Sequence, residues 1–281
     1  MTGPDFLVIG AMKCGTSTLA AQLAVQDGVF ITTPKEPNFF SDDDVYARGP
    51  DWYAALFQEA HAQDLKGEAS THYTKLPTYP QTLNRMQAML PTPRLVYMIR
   101  NPVKRAESHY IHEWTEGRLG RDPEQAFAQC REIVDYGCYG MQIAPFVQAY
   151  GLIRPIHLTS LEQIKADPDR AFAAIAAFLG LPDGTAWKHD LPAQNVSTER
   201  IRRLPLQAVL VDNPVARGLR RTLVPKSVRT WIRNQRKMTT RPDIPGVLMQ
   251  RMQARFLEDR AQLAEFFPDH PALDLCYPFA T

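Results

Sequence analysis

Cysteine is scarce in this chain: four in 281 residues, at positions 14, 130, 138 and 276, with neither a C-x-x-C pair nor Cys/His spacing suited to a metal. A disulfide framework and a zinc module are thereby excluded as organising devices. Apolar runs are short, and none reaches the roughly 18 residues that a membrane-spanning helix needs. The stretch starting at Phe6 has no basic leader, carries Lys13 in its middle and passes into Gly15-Thr16-Ser17-Thr18, so it does not read as a signal peptide. No internal repeat or low-complexity tract is present, which argues against solenoids and long linkers. Formal charge is close to balance at +2, so whole-protein attraction to nucleic acid is not expected. With 44% hydrophobic residues, the chain has enough apolar material for a large core. These features predict one domain over 1–281, without a membrane anchor and, given reduced thiols, cytoplasmic.

The most informative segment is Phe6-Leu7-Val8-Ile9-Gly10-Ala11-Met12-Lys13-Cys14-Gly15-Thr16-Ser17-Thr18-Leu19. Four consecutive apolar residues suit a strand covered on both faces, and the hydroxyl-rich run after Gly15 suits the start of a helix. Backbone N–H groups at such a start, together with the helix dipole, attract anions. The order of residues departs from the nucleoside-triphosphatase loop G-x-x-x-x-G-K-[ST], because Lys13 precedes Gly15 by two positions and Thr16 stands where that lysine would be. The next good strand, Arg94 to Ile99, runs into Arg100-Asn101-Pro102 and not into a metal-binding aspartate. A second phosphate site built on a cation is expected there, with no metal. Pro102 biases Asn101 away from helix and sits early in the next one, leaving Arg100 at a carboxyl strand edge, where open α/β sheets bind ligands.

Lys13-Cys14-Gly15-Thr16-Ser17-Thr18-Leu19 and Arg100-Asn101-Pro102-Val103-Lys104-Arg105-Ala106-Glu107-Ser108-His109-Tyr110 resemble the K-x-G-T-x-x-L and R-[ND]-P-x-x-R-x-x-S-x-Y motifs of sulfotransferases that use 3′-phosphoadenosine 5′-phosphosulfate (PAPS). Between them, Lys35-Glu36-Pro37-Asn38-Phe39-Phe40 and Asp51-Trp52-Tyr53 resemble the K-E-x-x-F-F and D-W-Y pair of the branch that includes heparan sulfate sulfotransferases and bacterial relatives. Asp167-Pro168 and Phe178-Leu179-Gly180-Leu181 match later landmarks. The likeness spans about residues 5 to 195 in motif order.

The resemblance implies a P-loop-type α/β fold of three layers, a central parallel sheet flanked by helices. It further implies Lys13, Cys14, Gly15, Thr16, Ser17 and Thr18 around the 5′-phosphosulfate, with Arg100 and Ser108 on the 3′-phosphate. Lys13 is the expected charge stabiliser and Glu36 the expected base, with His72 and His109 as rival bases. One departure is plain. Where the heparan branch has E-K-[ST]-P-x-Y, this chain has Glu68-Ala69-Ser70-Thr71-His72-Tyr73, so either Lys13 suffices or another cation such as Lys35 contributes. Glu68 reads as a substrate contact or as the partner of a nearby cation. Cys14 reads as a small residue that fits the loop, or as a thiol activated by neighbouring cations. Phe39, Phe40, Trp52, Tyr53, His72 and Trp114 are candidates to line the acceptor pocket, for a glycan or a small metabolite.

Between residues 200 and 241, twelve basic residues face a single acidic one, Asp212. That stretch reads as a solvated face, as a surface for an anionic acceptor or, by the resemblance, as a flap over the nucleotide carrying Arg236, Lys237 and Arg241. Strands at 6–10, 94–99 and near 156–158, each followed by a helix, predict βαβ units. Asp167, Pro168 and Gly180 read as cap, first turn and terminator of a helix over 168–179, and Val247 to Phe267 as an amphipathic helix packed on the sheet. Two other readings of the loop are a metal-dependent nucleotide kinase and a non-catalytic binder of bisphosphorylated adenosine or nucleic acid. Oligomeric state is not legible.

Overall fold

β1, Phe6–Gly10, is buried along its whole length. It is the middle strand of a five-stranded parallel sheet of order β2-β3-β1-β4-β5, where β2 is Val29–Ile31, β3 Leu65–Ala69, β4 Arg94–Ile99 and β5 His157–Ser160. Phe6 pairs with Gly67 on one side and Arg94 on the other. Burial on both faces explains why β1 and β4 are continuous apolar runs. The computed structural model describes residues 3–151, 156–192, 200–201, 237–238 and 242–280.

Helices flank the sheet. α1 (Thr16–Ala24) follows β1; α2 (Asp43–Tyr46) and α3 (Gly49–Ala55) lie between β2 and β3; α4 (Thr82–Met89) precedes β4. α5 (Pro102–Thr115), α6 (Pro123–Gln129), α7 (Glu132–Asp135) and α8 (Tyr139–Tyr150) separate β4 from β5, which is followed by α9 (Leu161–Ala166) and α10 (Pro168–Leu179). A small antiparallel pair, β6 (Arg200–Ile201) with β7 (Lys237–Met238), precedes α11 (Gly246–Phe266) and α12 (Ala272–Leu275). Every element read from the sequence is present, and capping follows the chemistry: Asn101 Oδ1 accepts from Lys104 N at 3.0 Å to start α5, Asp167 Oδ1 accepts from Arg170 N at 3.0 Å to start α10, and Gly180 ends α10 with a φ of 72°.

One expectation is corrected. α11 packs against α8 and α5 instead of lying on the sheet. Its buried face, Leu248, Met252, Phe256 and Leu263, also carries Asp259. That carboxylate accepts from Gly140 N and Met141 N, each at 2.8 Å, so it caps α8 from the neighbouring helix and fixes which surface α11 meets.

Candidate active site

The carboxyl ends of β1 and β4 and the segments after β2 and β3 surround a cleft of about 920 Å³. Met12, Lys13 and Gly15 to Thr18 form one wall of it. Gly10 is obligatory by close approach, since a Cβ there would sit 1.9 Å from Thr74 Oγ1, and Gly15 turns the chain into α1 with a φ of 94°. Ala11 N donates to Met98 O at 2.6 Å and Cys14 N to Ala11 O at 3.2 Å, which closes the turn. The N–H groups of Gly15, Thr16 and Ser17 have no backbone acceptor among the described residues, and no side chain caps α1. Three donors and the positive end of a helix therefore face the cleft together with Lys13.

Cys14 is in the turn, but its side chain is not in the cleft. It is fully buried with Sγ 3.4 Å from the Tyr139 hydroxyl, and burial pushes its thiol up to about 11 despite that bond and the Arg100 charge. The expected activation by nearby cations is overturned by desolvation. Arg100 lies at the end of β4, as predicted, and Nη1 donates to Lys13 O at 3.1 Å, tying the second phosphate-site candidate to the first loop. Its Nε is buried and has no hydrogen-bond partner among the described residues, and the residue lines the cleft. Ser108, two turns into α5, lines the same cleft.

Glu36 enters from the segment after β2. Its N–H donates to Ala69 O at 3.0 Å, and Oε1 takes hydrogen bonds from Lys35 Nζ at 2.6 Å and Thr71 Oγ1 at 3.3 Å. Burial pushes its carboxyl up, and the charges of Lys35, Lys75 and His72 more than offset this, so the net shift is below the usual carboxylate value. Glu36 is thus an ionised acceptor of protons with Oε1 held in place. Lys35, offered as a substitute cation, is committed to that carboxylate. His72 also lines the cleft, stacked on Tyr79 with ring centroids 4.8 Å apart, but burial and the Lys75 charge lower its imidazole to about 4. His109 is occupied at both ring nitrogens: Nδ1 is 3.4 Å from Arg105 Nη1, and Nε2 is 3.4 Å from Glu113 Oε1. All three candidate bases line the cleft: Glu36 is ionised and His72 neutral, so both stand in the proton-accepting form, while His109 is engaged at both ring nitrogens. Glu36 differs from His72 in having an oxygen held in place by Lys35 and Thr71.

Several expectations are corrected. Phe39, Phe40, Tyr53 and Trp114 are core residues, not acceptor lining, and Trp52 packs on Phe39 at 6.0 Å. The Phe39 and Tyr53 rings stack at 4.4 Å, holding the Glu36 segment from beneath. The aromatic lining is instead Tyr79 and Tyr136. Glu68 neither lines the cleft nor meets a cation among the described residues. It is fully buried and accepts hydroxyls from Tyr53, Ser70 and Tyr73, the last two at 2.6 Å. Ser70 Oγ in turn accepts from Asn38 N at 3.1 Å, so this network pins the Glu36 segment to β3. Arg236 and Arg241 lie outside the described residues, and of Lys237 only its place in β7 is described. Lys75, which sequence reasoning missed, lines the cleft. A lysine in a turn gives no signal of burial.

A family profile described as "Sulfotransferase domain" matches residues 3–226. Among curated proteins, the chain is 34% identical over 129 residues to membrane-associated sulfotransferase kil1 of Dictyostelium discoideum, covering 44% of this chain and 26% of that one. It is 27% identical over 198 residues to heparan sulfate glucosamine 3-O-sulfotransferase 6 of Homo sapiens, covering 66% of this chain and 55% of the relative. The chain spans between about a quarter and a half of the length of the curated relatives it matches. A solved sulfotransferase from Alicyclobacillus acidocaldarius superposes with a TM-score of 0.69 at 22% identity, over 97% of this chain and 99% of that structure. With the profile covering most of the chain and the same fold in that bacterial structure, the chain belongs to the sulfotransferase domain family.

Proposed function

We propose that this chain transfers a sulfuryl group from PAPS to a hydroxyl of a carbohydrate or small-molecule acceptor, leaving adenosine 3′,5′-bisphosphate. One observation carries the reading: a helix start with three open N–H groups and Lys13, the strand-end cation Arg100, Ser108 and an ionised Glu36 line a single cleft. Two groups of anion-binding residues on different elements, the loop after β1 and the end of β4 with α5, suit a nucleotide bearing both a 3′-phosphate and a 5′-phosphosulfate. The loop beside Lys13 would hold the 5′ end, and Arg100 with Ser108 the 3′-phosphate.

The transfer is an in-line displacement at sulfur. The acceptor oxygen forms a new O–S bond while the bond from sulfur to the 5′-phosphate oxygen breaks, and that oxygen keeps the electron pair. Lys13 stabilises the charge that grows there, and the acceptor proton passes to the Glu36 carboxylate. The four unpaired thiols support a reducing compartment, and we assign the protein to the cytoplasm on that basis. No described helix is long and apolar enough to cross a membrane.

Calorimetric titration with adenosine 3′,5′-bisphosphate and with ATP, in EDTA and again in Mg²⁺, tests the reading on wild type and Arg100→Ala. Bisphosphate binding that is lost in the variant, with ATP weak, is the expected result. A Mg²⁺-dependent preference for ATP would instead favour a nucleotide kinase and overturn it.

A further inference from the structure

Among the cleft residues that take no part in the steps above is a buried lysine. Lys75 follows the turn over Thr71–Thr74 and is only 7% exposed, yet it lines the same cleft as Lys13 and Glu36. Its Nζ lies 5.8 Å from the centroid of the Tyr136 ring, and among the described residues it makes no ion pair or hydrogen bond. The carboxylates that face it are already engaged. Glu36 is held by Lys35 and Thr71, and Glu113 by His109 and Arg118. The other charged or titratable groups around it, Lys13 from the phosphate loop, Arg105 from α5 and His72 from its own turn, offer it no counter-charge.

Its position is fixed from both sides. Thr74 Oγ1 donates to Ile9 O at 2.9 Å, joining the turn to the end of β1. On the other side the fully buried Gln142 clamps the Leu76 peptide, accepting from its N–H at 2.7 Å and donating to its carbonyl at 2.8 Å. A desolvated ammonium with no anion in direct contact is costly to keep, and an anionic ligand lowers the cost. We propose that Lys75 is a further catalytic residue, whose ammonium donates hydrogen bonds to the non-bridging sulfonate oxygens of the donor as the group passes to the acceptor. The assignment rests on the sulfotransferase reading. No bond to Lys75 forms or breaks, and the electron pair and proton move as described above.

Titration supports the geometry. Burial lowers the ammonium to about 8, Arg105 and Lys13 push the same way, and Glu36 and Glu113 oppose them. Because the value is lowered, the free protein loses this charge as pH rises through about 8, and with it the contact to sulfonate.

The discriminating experiment compares PAPS with adenosine 3′,5′-bisphosphate, which lacks the sulfonate, by calorimetry on wild type, Lys75→Met and Lys75→Arg. Lys75→Met is expected to weaken PAPS by about ten- to a hundredfold, the worth of one charge-assisted hydrogen bond, while bisphosphate affinity stays within about twofold. Lys75→Arg should retain the preference for PAPS and keep it at alkaline pH, where the wild type loses it. Should Lys75→Met fail to fold, the alkaline behaviour of Lys75→Arg decides alone. Equal losses for both nucleotides, no loss for PAPS, or an alkaline decline unchanged in Lys75→Arg would overturn the Lys75 assignment. Failure of the wild type to bind the bisphosphate would overturn the sulfotransferase reading and this assignment with it.

Discussion

Lys13 and Glu36 share a backbone property that their side-chain chemistry does not require: φ is 67° at Lys13 and 60° at Glu36, and Asn38 follows at 55°. Each such non-glycine residue costs of order 1–3 kcal/mol, and persists because its surroundings over-determine it. At Glu36 the determinants are its own N–H on Ala69 O and the Asn38 N–H on Ser70. Glu36→Gln should therefore keep the geometry and remove only the base, lowering kcat by about 10²–10⁴-fold with bisphosphate affinity unchanged. A parallel fall in nucleotide binding would refute the role. The lowered carboxyl keeps Glu36 ionised below its ordinary value of 4.5, so the acid limb of kcat/KM should fall below that value and vanish in the glutamine variant. Glu68 behaves oppositely. Burial raises its carboxyl, and the three hydroxyl bonds offset this only in part. The folded state then holds a proton that the unfolded state has already lost, so stability falls as pH rises from 4.5 toward the folded value. Urea titrations of Glu68→Gln across that window should show this slope flattened; an unchanged slope would mean the buried carboxyl does not titrate as described.

Elements were legible in the sequence to the degree that burial was written in apolar residues. β1, β4, α5, α10 and α11 carry long apolar or amphipathic runs, α5 and α10 have side-chain caps as well, and all are placed by the sequence. β2 has only Val29, Phe30 and Ile31, and β3 carries Lys66, Gly67 and Glu68, so neither announced itself as an interior strand. The same cause hid part of the site. Glu68 is buried through hydroxyls of residues 15 positions before it and 5 after it, and Lys75 through a glutamine 66 positions from its neighbour Leu76, contacts that no local pattern encodes. Motif order, by contrast, brings Lys13, Glu36, His72, Arg100 and Ser108 to one cleft, because the first four lie in segments that leave strand ends and Ser108 lies on the helix that follows β4. The aromatic residues misled for a physical reason: a ring beside a functional glutamate serves equally as its floor or as substrate lining, and here the rings are the floor. Asp259 gives an element-scale prediction. Asp259→Ala removes both acceptors at the start of α8 and should cost about 2–4 kcal/mol by chemical denaturation. A loss under about 0.5 kcal/mol would mean that α11 and α8 associate through their apolar faces alone.

At the scale of the whole molecule, ligand and fold are linked. A nucleotide that binds only the native state adds about 2.7 kcal/mol at a hundredfold excess over its Kd, so adenosine 3′,5′-bisphosphate should raise Tm by several degrees while ATP at equal concentration leaves it nearly unchanged. An equal rise with ATP would point to general anion binding. The order of the sheet also divides labour. The proposed contacts to the nucleotide phosphates hang from β1 and β4, while Glu36, Thr71, His72 and the proposed sulfonate contact Lys75 hang from the segments after β2 and β3, across β1 from β4. Arg100 on the Lys13 carbonyl holds one half and Glu68, Ser70 and Asn38 the other, with Thr74 Oγ1 on Ile9 O joining them at 2.9 Å. In the proposed enzyme, a change confined to the segments after β2 and β3 would leave the loop after β1 and the end of β4 in place, so acceptor choice could be rewritten on one flank while the phosphate contacts stay where they are.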